Sequence, residues 1–261
     1  MDKVIDIEER IPTLRERRRK RTNRKFLALL FIFLIILMVL VYSQTKYSKI
    51  QSITVNGEDL YEETEYITAS KLDVGDSMWS FNTEEVAGDI SELDWVKNAS
   101  ADKKWLTGVE ITVEEYPAIG YLEKEAGYQK LLANGYAVEL PVDKVDGPIF
   151  TNFETEETRL ELSSQLEQLD PEVSNMLSQL ILTEGETASA NITLYMTDGN
   201  EIRAKLNSLA EKLDYYPSLT AQLEDGQKGV FDMEVGITFR SYDDVYGPPK
   251  EVVEDEETEQ P

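Results

Sequence analysis

One uninterrupted apolar run constrains this chain more than any other feature. Residues Phe26 to Tyr42 read FLALLFIFLIILMVLVY, and the uncharged stretch continues to Thr45, which makes it 20 residues long. A helix of that length covers the ~30 Å hydrocarbon core of a bilayer. Lipid offers no partner to unpaired backbone amides, so such a run crosses as a helix. We therefore predict a transmembrane helix over residues 26–45.

The charges beside this run predict its orientation. Eight residues between Arg15 and Lys25 are Lys or Arg, and Glu16 is the one acid among them. Positive residues next to a span stay in the cytoplasm, so the chain after Thr45 should lie outside the cell. A cleaved signal peptide is the alternative, but the run is longer than a usual signal h-region and no small-x-small cleavage site follows it. We favour an uncleaved, single-pass type II anchor.

Composition excludes several classes of function. Residues 1–25 carry a net charge of +5, and because the whole chain carries −25, the remainder carries −30. A basic patch for nucleic acid is one interpretation of the N-terminal charges, but beside a span they are better explained by topology and anionic lipid. The acidic remainder should not bind nucleic acid by counterion release. Histidine and cysteine are both absent, which removes Ser-His and Cys-His nucleophiles and the commonest zinc ligands. We predict no cofactor and no metal.

Residues 46–117 are predicted to form a compact α+β domain. Alternating apolar residues indicate strands at Ile50–Val55 and Val109–Val113. A further strand, followed by a turn, is expected over Val96–Trp105. A helix is expected over Glu62–Leu72. A second helix should begin after Asn82, which resembles an N-cap with a glutamate three residues later.

Residues 118–242 are predicted to form a second, mixed α/β domain. Two hairpins are expected, each with a strand on either side of a turn. The predicted helices carry apolar stripes, and Pro217 should end the last of them. The predicted hairpins pair Ala118–Leu122 with Tyr128–Leu132, and Ile192–Met196 with Glu201–Lys205. The three predicted helices carry Leu162, Leu166 and Leu169; Val173, Leu177 and Leu180, opening at Asp170-Pro171; and Leu206, Leu209, Leu213 and Tyr216.

The last predicted element is one long strand over Val230–Arg240. Five apolar residues alternate there with polar ones or glycine, which is typical of a half-buried strand. An exposed sheet edge could accept a strand from a partner, whereas a central strand could not. The sequence leaves both positions open. Residues 243–261 are acidic and poor in apolar side chains, so we predict a disordered tail, as we do for residues 1–25.

Acidic pairs and tryptophans are the other candidate sites. Glu114-Glu115 and Glu184/Glu186 could suggest a two-carboxylate glycosidase, but 51 acids make adjacent pairs common by chance, and a solvated face is the simpler interpretation. Three tryptophans, Trp79, Trp95 and Trp105, could form a sugar-stacking platform. Core packing or domain contact is the interpretation that we favour for them.

The ordered set of segments resembles the DivIB/FtsQ family of bacterial cell-division proteins. The strings that carry the resemblance occur in order along most of the chain. They are IQSITVNG at Ile50–Gly57, VEITVEEYP at Val109–Pro117, ANG at Ala133–Gly135, ITLYMTDG at Ile192–Gly199 and GVFDMEV at Gly229–Val235.

The resemblance implies a cytoplasmic tail over residues 1–25, an anchor over 26–45, a POTRA domain over 46–117, a β domain over 118–242 and a γ tail over 243–261. It further implies a non-enzymatic divisome scaffold at the septum. The implied partners are DivIC- and FtsL-type bitopic proteins and the septal penicillin-binding transpeptidase. The implied docking site, by strand addition, comprises Gly236, Ile237, Thr238, Phe239, Arg240, Ser241 and Tyr242. A peptidoglycan-binding wall-attachment module is the alternative function.

Overall fold

The structure is a computed structural model that describes residues 14–105, 107–125, 127–139, 142, 144–184, 189–224 and 226–247. The chain forms two compact units, with the boundary between Glu115 and Tyr116. Three predictions fall wholly or partly outside the described residues. They concern the cytoplasmic tail up to residue 13, the γ tail from residue 248, and Glu186. The remaining bounds of the five predicted domains stay predictions.

The first helix, α1, spans Leu14–Ser43 and contains the apolar run. Its segment Asn23–Ser43, 21 residues with a mean hydropathy of 3.0, is long and apolar enough to cross a membrane, and its large apolar side chains are exposed. The helix begins at Leu14, so the predicted disorder is wrong for residues 14–25, and it ends two residues before the predicted end of the span at Thr45. A short 3-10 turn, Lys46–Ser48, then leads into the folded part of the unit.

The folded part of the first unit is a three-stranded sheet with two helices. In chain order the elements are β1 (Ser52–Asn56), α2 (Glu63–Ser70), α3 (Thr83–Ser91), β2 (Val96–Lys104) and β3 (Gly108–Glu115). The strand order is β1-β3-β2, with β1 parallel and β2 antiparallel to β3. As predicted, the Asn82 side chain caps α3 by accepting a hydrogen bond from the Glu84 amide at 3.1 Å.

The second unit is built on one mixed sheet of eight strands. Its strands are β4 (Ala118–Lys124), β5 (Gly127–Leu132), β6 (Ile149–Thr151), β7 (Leu177–Glu184), β8 (Asn191–Met196), β9 (Glu201–Lys205), β10 (Gly229–Asp232) and β11 (Thr238–Ser241). Its helices are α4 (Glu156–Glu167), α5 (Pro171–Ser174), α6 (Leu209–Leu213), α7 (Tyr216–Thr220) and α8 (Tyr242–Tyr246). The strand order is β11-β10-β9-β8-β7-β6-β4-β5, so β11 and β5 form the two edges.

Side chains on the two faces of this sheet differ in character. A row of directly paired apolar residues crosses seven strands on one face, and its members lie in or against the core that α4, α5, α6 and α7 also help to form. That row is Leu122, Phe150, Leu180, Leu194, Ile202, Phe231 and Phe239. The adjacent row belongs to the opposite face and is mostly polar: Thr151, Ile181, Thr193, Arg203, Asp232 and Thr238. We call this second face the polar face.

Two sequence predictions fail where an apolar spacing is ambiguous. The helix predicted to carry Val173, Leu177 and Leu180 is wrong, because α5 ends at Ser174 and β7 begins at Leu177. A β-bulge between Leu177 and Gln179 lets two leucines three residues apart both be buried in the core, which mimics a helical period. The helix predicted to end at Pro217 in fact ends at Leu213, and Pro217 lies in the first turn of α7, where proline is favoured.

The predicted strand Val230–Arg240 is also wrong, because the segment is a hairpin of β10 and β11. The Asp232 carboxylate accepts a hydrogen bond from the Glu234 amide at 3.2 Å and so stabilises a turn. Met233 is buried, whereas Val235, which the alternation assigned to the same face, is 88% exposed. The predicted tail start at residue 243 is likewise too early, since α8 continues to Tyr246.

Candidate partner-binding site

The terminal hairpin leaves β11 at one edge of the large sheet. The residues of the predicted docking site are adjacent, but they belong to three elements: Gly236 and Ile237 lie in the hairpin loop, Thr238–Ser241 form β11, and Tyr242 opens α8. Strand β10 is central, paired with β9 on one side and β11 on the other. The outer side of β11 has no strand partner among the described residues.

The opposite edge of the same sheet is partly satisfied by the chain itself. Beyond β5, Leu131 forms a bridge with Ala137, and the Val138 amide donates to the Lys130 carbonyl at 2.9 Å. One of the two outer strands of the first unit's sheet, β2, carries three lysines, and charge of this kind discourages strand pairing. Of these edges, β11 is the one best suited to accept an added strand.

The pairing register assigns each β11 side chain to a face. Phe239 pairs with Phe231 and packs on it with ring centroids 4.8 Å apart, next to the apolar core. Thr238 and Arg240 pair with Asp232 and Val230, on the polar face. A strand added alongside β11 would meet Phe239 on one face and Thr238 and Arg240 on the other, because side chains alternate along a strand.

A glycine allows β11 to approach β10 closely. A methyl group at Gly229 would lie 2.1 Å from the Arg240 carbonyl oxygen and 2.9 Å from the Phe239 ring. Both distances are below van der Waals contact, and the first is to backbone, which cannot rotate away. The site therefore depends on Gly229, a residue that the docking prediction did not include. A glycine at the start of a strand is the sequence signal that could have found it.

A network of buried polar side chains is hydrogen-bonded to the first residue of β10. The Asn200 carboxamide oxygen accepts a hydrogen bond from the Gly229 amide at 3.0 Å, and its nitrogen donates to the Tyr216 hydroxyl at 3.1 Å. The Tyr216 hydroxyl donates in turn to Asp198 at 2.7 Å. Burial, together with the Asp198 carboxylate, raises the pKa of Tyr216. This network joins the β8–β9 turn to α7 and to the start of the terminal hairpin.

Helix α8 crosses the polar face beside β11. The Tyr242 hydroxyl donates to the Gly199 carbonyl at 2.9 Å, and the Tyr246 hydroxyl donates to the buried Glu201 carboxylate at 2.8 Å. Arg203 donates to Tyr246 at 2.8 Å and to Glu201 at 2.9 Å. The hydrogen bond to Glu201 raises the pKa of both Tyr246 and Arg203. No local sequence pattern predicts this cluster, because its members are up to 45 residues apart.

Of the two acidic pairs considered for catalysis, Glu114-Glu115 has structural partners. The exposed Glu114 carboxylate accepts from Lys97 at 2.8 Å and from Asn98 at 2.9 Å. Glu115 accepts from the Leu60 amide at 3.0 Å and from the Tyr66 hydroxyl. Among the residues described, no three Asp or Glu side chains are grouped in a way that could hold a metal ion.

The tryptophans separate into two groups. Trp95 packs on Tyr61, with ring centroids 4.2 Å apart, and donates to Tyr66 at 3.1 Å, so the core interpretation is confirmed for it. The core interpretation is wrong for Trp79 and Trp105, which are 70% and 93% exposed.

Comparisons with known proteins agree with this two-unit organisation. Residues 48–116 match the family model described as POTRA domain, FtsQ-type, and residues 120–234 match the model described as cell division protein FtsQ/DivIB, C-terminal. The second match ends before β11.

Curated relatives cover nearly the whole chain. The chain is 44% identical to cell division protein DivIB of Solibacillus silvestris over 100% of its length and 92% of the relative's. It is 32% identical to DivIB of Bacillus subtilis over 92% of each chain. A solved structure of the major extracytoplasmic domain of DivIB from Geobacillus stearothermophilus, in its trans isomer, matches 43% of this chain and 98% of that one with a TM-score of 0.36 and 24% identity.

Proposed function

Because this chain belongs to the FtsQ/DivIB family of cell division proteins, we propose that it is a non-enzymatic scaffold of the divisome. It is anchored in the cytoplasmic membrane by α1, with its N-terminus inside the cell and the chain after α1 outside, at the division septum. It binds DivIC- and FtsL-type bitopic proteins, and through them it stabilises and regulates the septal penicillin-binding transpeptidase. Family membership already implies interaction with other division proteins.

The outer edge of β11 is the observation that carries this proposal. A partner segment pairs with Thr238–Ser241 in an extended conformation, and the loop residues Gly236 and Ile237 and the first residue of α8, Tyr242, border the added strand. Four residues form few hydrogen bonds, each with a net value of about 0.5–1.5 kcal/mol. Specific affinity therefore depends on side-chain contacts at Ile237, Phe239 and Arg240.

Membrane anchoring allows a short edge strand of modest affinity to hold a partner. Partners that are themselves membrane-bound meet this chain in a plane, and confinement raises their effective concentration without any new contact. A short edge strand also limits unwanted pairing with other chains. The proposed mechanism needs only binding, which agrees with the absence of histidine and cysteine from the sequence.

The two edges of the sheet supply a matched pair of variants. Ile237, near β11, and Tyr128, in β5, are 38% and 37% exposed. In the full-length chain in nanodiscs, we expect Ile237→Asp to weaken binding of a DivIC–FtsL-type complex at least ~10-fold, equivalent to about 1.4 kcal/mol. Tyr128→Asp should leave the affinity unchanged. Equal effects of the two variants, or no effect of either, would contradict docking at β11.

Peptidoglycan binding stays the untested alternative. Co-sedimentation of the full-length protein in nanodiscs with purified cell wall tests it directly. Pelleting that persists in both edge variants would indicate a wall-binding surface elsewhere on the chain.

A further inference from the structure

The POTRA domain exposes large apolar side chains at one end. The exposed fraction is 93% for Trp105, 70% for Trp79, 67% for Val74 and 54% for Tyr47. Trp105 also has a φ of 42°, a left-handed conformation that a bulky residue rarely adopts. Neither core packing nor turn geometry explains a tryptophan at this position.

Hydrogen bonds tie the loop that carries Trp79 to the end of the membrane helix. The Ser48 hydroxyl donates to the carbonyl of Ser43, the last residue of α1, at 2.9 Å. The Met78 amide donates to the Ser48 carbonyl at 2.9 Å. Trp79 therefore follows a residue that is bonded to the segment leaving the bilayer.

The hairpin tip that carries Trp105 lies at the same end of the domain. Strand β1 begins at Ser52, which pairs with Gly108, the first residue of β3. The Gln51 amide donates to the Thr107 carbonyl at 2.8 Å, and its side chain donates to the Lys46 carbonyl at 3.0 Å. The β2–β3 turn is thus adjacent to the residues that connect the anchor to the domain.

Charge at this end departs from the strongly acidic average of the residues after the span. Lys46 and Lys49 lie in the connecting segment, and Asp73 and Asp76 lie in the loop with Val74. Lys103 donates to the Met78 carbonyl at 2.6 Å, beside Trp79, and Lys104, which precedes Trp105, pairs with Glu110 at 2.5 Å. Because lysines are at least as numerous as acids here, this end should not be repelled by anionic headgroups. Tryptophan and tyrosine favour the membrane–water interface, where an apolar ring and a polar edge are both accommodated.

We propose that this end of the POTRA domain docks on the leaflet from which the chain emerges, with Trp79 and Trp105 inserted at the lipid interface. The two side chains form a second attachment to the membrane that is independent of the span. This fixes the domain against the bilayer instead of leaving it to rotate about the connecting segment. The inference extends beyond partner binding at β11 and does not depend on it.

Quenching of the natural tryptophans tests the proposal in the full-length protein. The protein is placed in phosphatidylcholine nanodiscs whose acyl chains are either brominated near the headgroup or unmodified. Because two of the three tryptophans would lie within reach of bromine, we expect a roughly two-fold fall in fluorescence in brominated lipid. Trp79→Phe and Trp105→Phe should each reduce the quenching. The double variant leaves Trp95, and its emission should be the same in both lipids.

Several results would overturn the proposal. Equal fluorescence of the native protein in the two lipids means that neither tryptophan reaches the bilayer. Quenching that survives in the double variant would come from Trp95 and not from the proposed contact. If the double variant instead loses cell-wall pelleting while the native protein is unquenched, the exposed rings bind the wall. Unchanged circular dichroism and thermal unfolding of the double variant serve as the folding control.

Discussion

The close approach of Gly229 in β10 to the backbone of Arg240 in β11 predicts a large effect of one added methyl group. Replacing Gly229 by alanine introduces a methyl carbon 2.1 Å from the Arg240 carbonyl oxygen and 2.9 Å from the Phe239 ring. An unstrained contact of this kind is about 3.5 Å or more, so β11 must move outward by about 1 Å or separate from β10. The backbone of Gly229 is outside the left-handed region, so the cost is steric and not conformational.

The size of the effect follows from overpacking. Forcing extra volume into a packed site costs about 1–3 kcal/mol, and we expect the Gly229→Ala variant to lose that much stability against unfolding. Displacement of β11 also removes the edge to which a partner strand would pair. Affinity for a DivIC–FtsL-type complex should therefore fall at least ~10-fold.

Gly236 supplies the matched control, because a methyl group there would meet nothing within 4 Å. Gly236→Ala should stay within about 0.5 kcal/mol of the native protein. Stability is measured by denaturant unfolding of the full-length chain in detergent, and the local effect by hydrogen exchange of residues 229–242. If Gly229→Ala matches the control in unfolding and in β11 exchange, the close approach of β11 to β10 is refuted.

Two further predictions concern buried and half-buried polar groups. Burial raises the folded pKa of Tyr216 above its ordinary value of 10.0, so the hydroxyl contributes stability that is present below about pH 10 and is lost as the pH rises further. Unfolding free energies measured between pH 8 and 11 should decline with pH in the native protein and less steeply in Tyr216→Phe; parallel declines would contradict this assignment. Glu115 accepts two backbone amides, from Asp59 and Leu60, and the Tyr66 hydroxyl, so Glu115→Ala should cost about 1–3 kcal/mol, whereas exposed Glu114→Ala should cost less than about 1 kcal/mol. Thermal denaturation of the two variants measures the difference. Equal losses of stability would show that the hydrogen bonds of Glu115 stabilise the fold no more than the exposed contacts of Glu114.

Local patterns predicted the first unit well. The strands around Val55 and Val109–Val113, and the helix capped by Asn82, all form where alternation and capping indicated. Each of these signals is local, since it depends on residues within one turn or one strand. The apolar run predicted α1 for the same reason, because its length and lack of charge allow few other structures.

The sequence predictions that failed concern segments whose structure depends on long-range contacts. Leu177 and Leu180 are both buried through a bulge that exists only because β7 pairs with β8. The alternation from Phe231 to Phe239 looked continuous, yet Val235 is exposed because the chain reverses there to place Phe239 on Phe231. A periodic pattern cannot distinguish one long strand from two short strands that fold onto each other, since both bury alternate side chains.

The sequence alone predicted a segment long and apolar enough to span a membrane, two separate cores, and a negative charge after that segment that is unsuited to nucleic acid, because length, periodicity and net charge are sums over neighbouring residues. Only the tertiary structure decided that β11, and not β10, lies at the edge of the large sheet, and that Trp79 and Trp105 lie beside the end of the anchor while Trp95 is packed in the core. Strand order and surface exposure depend on which distant segments pair, and that choice is made by packing across the whole unit.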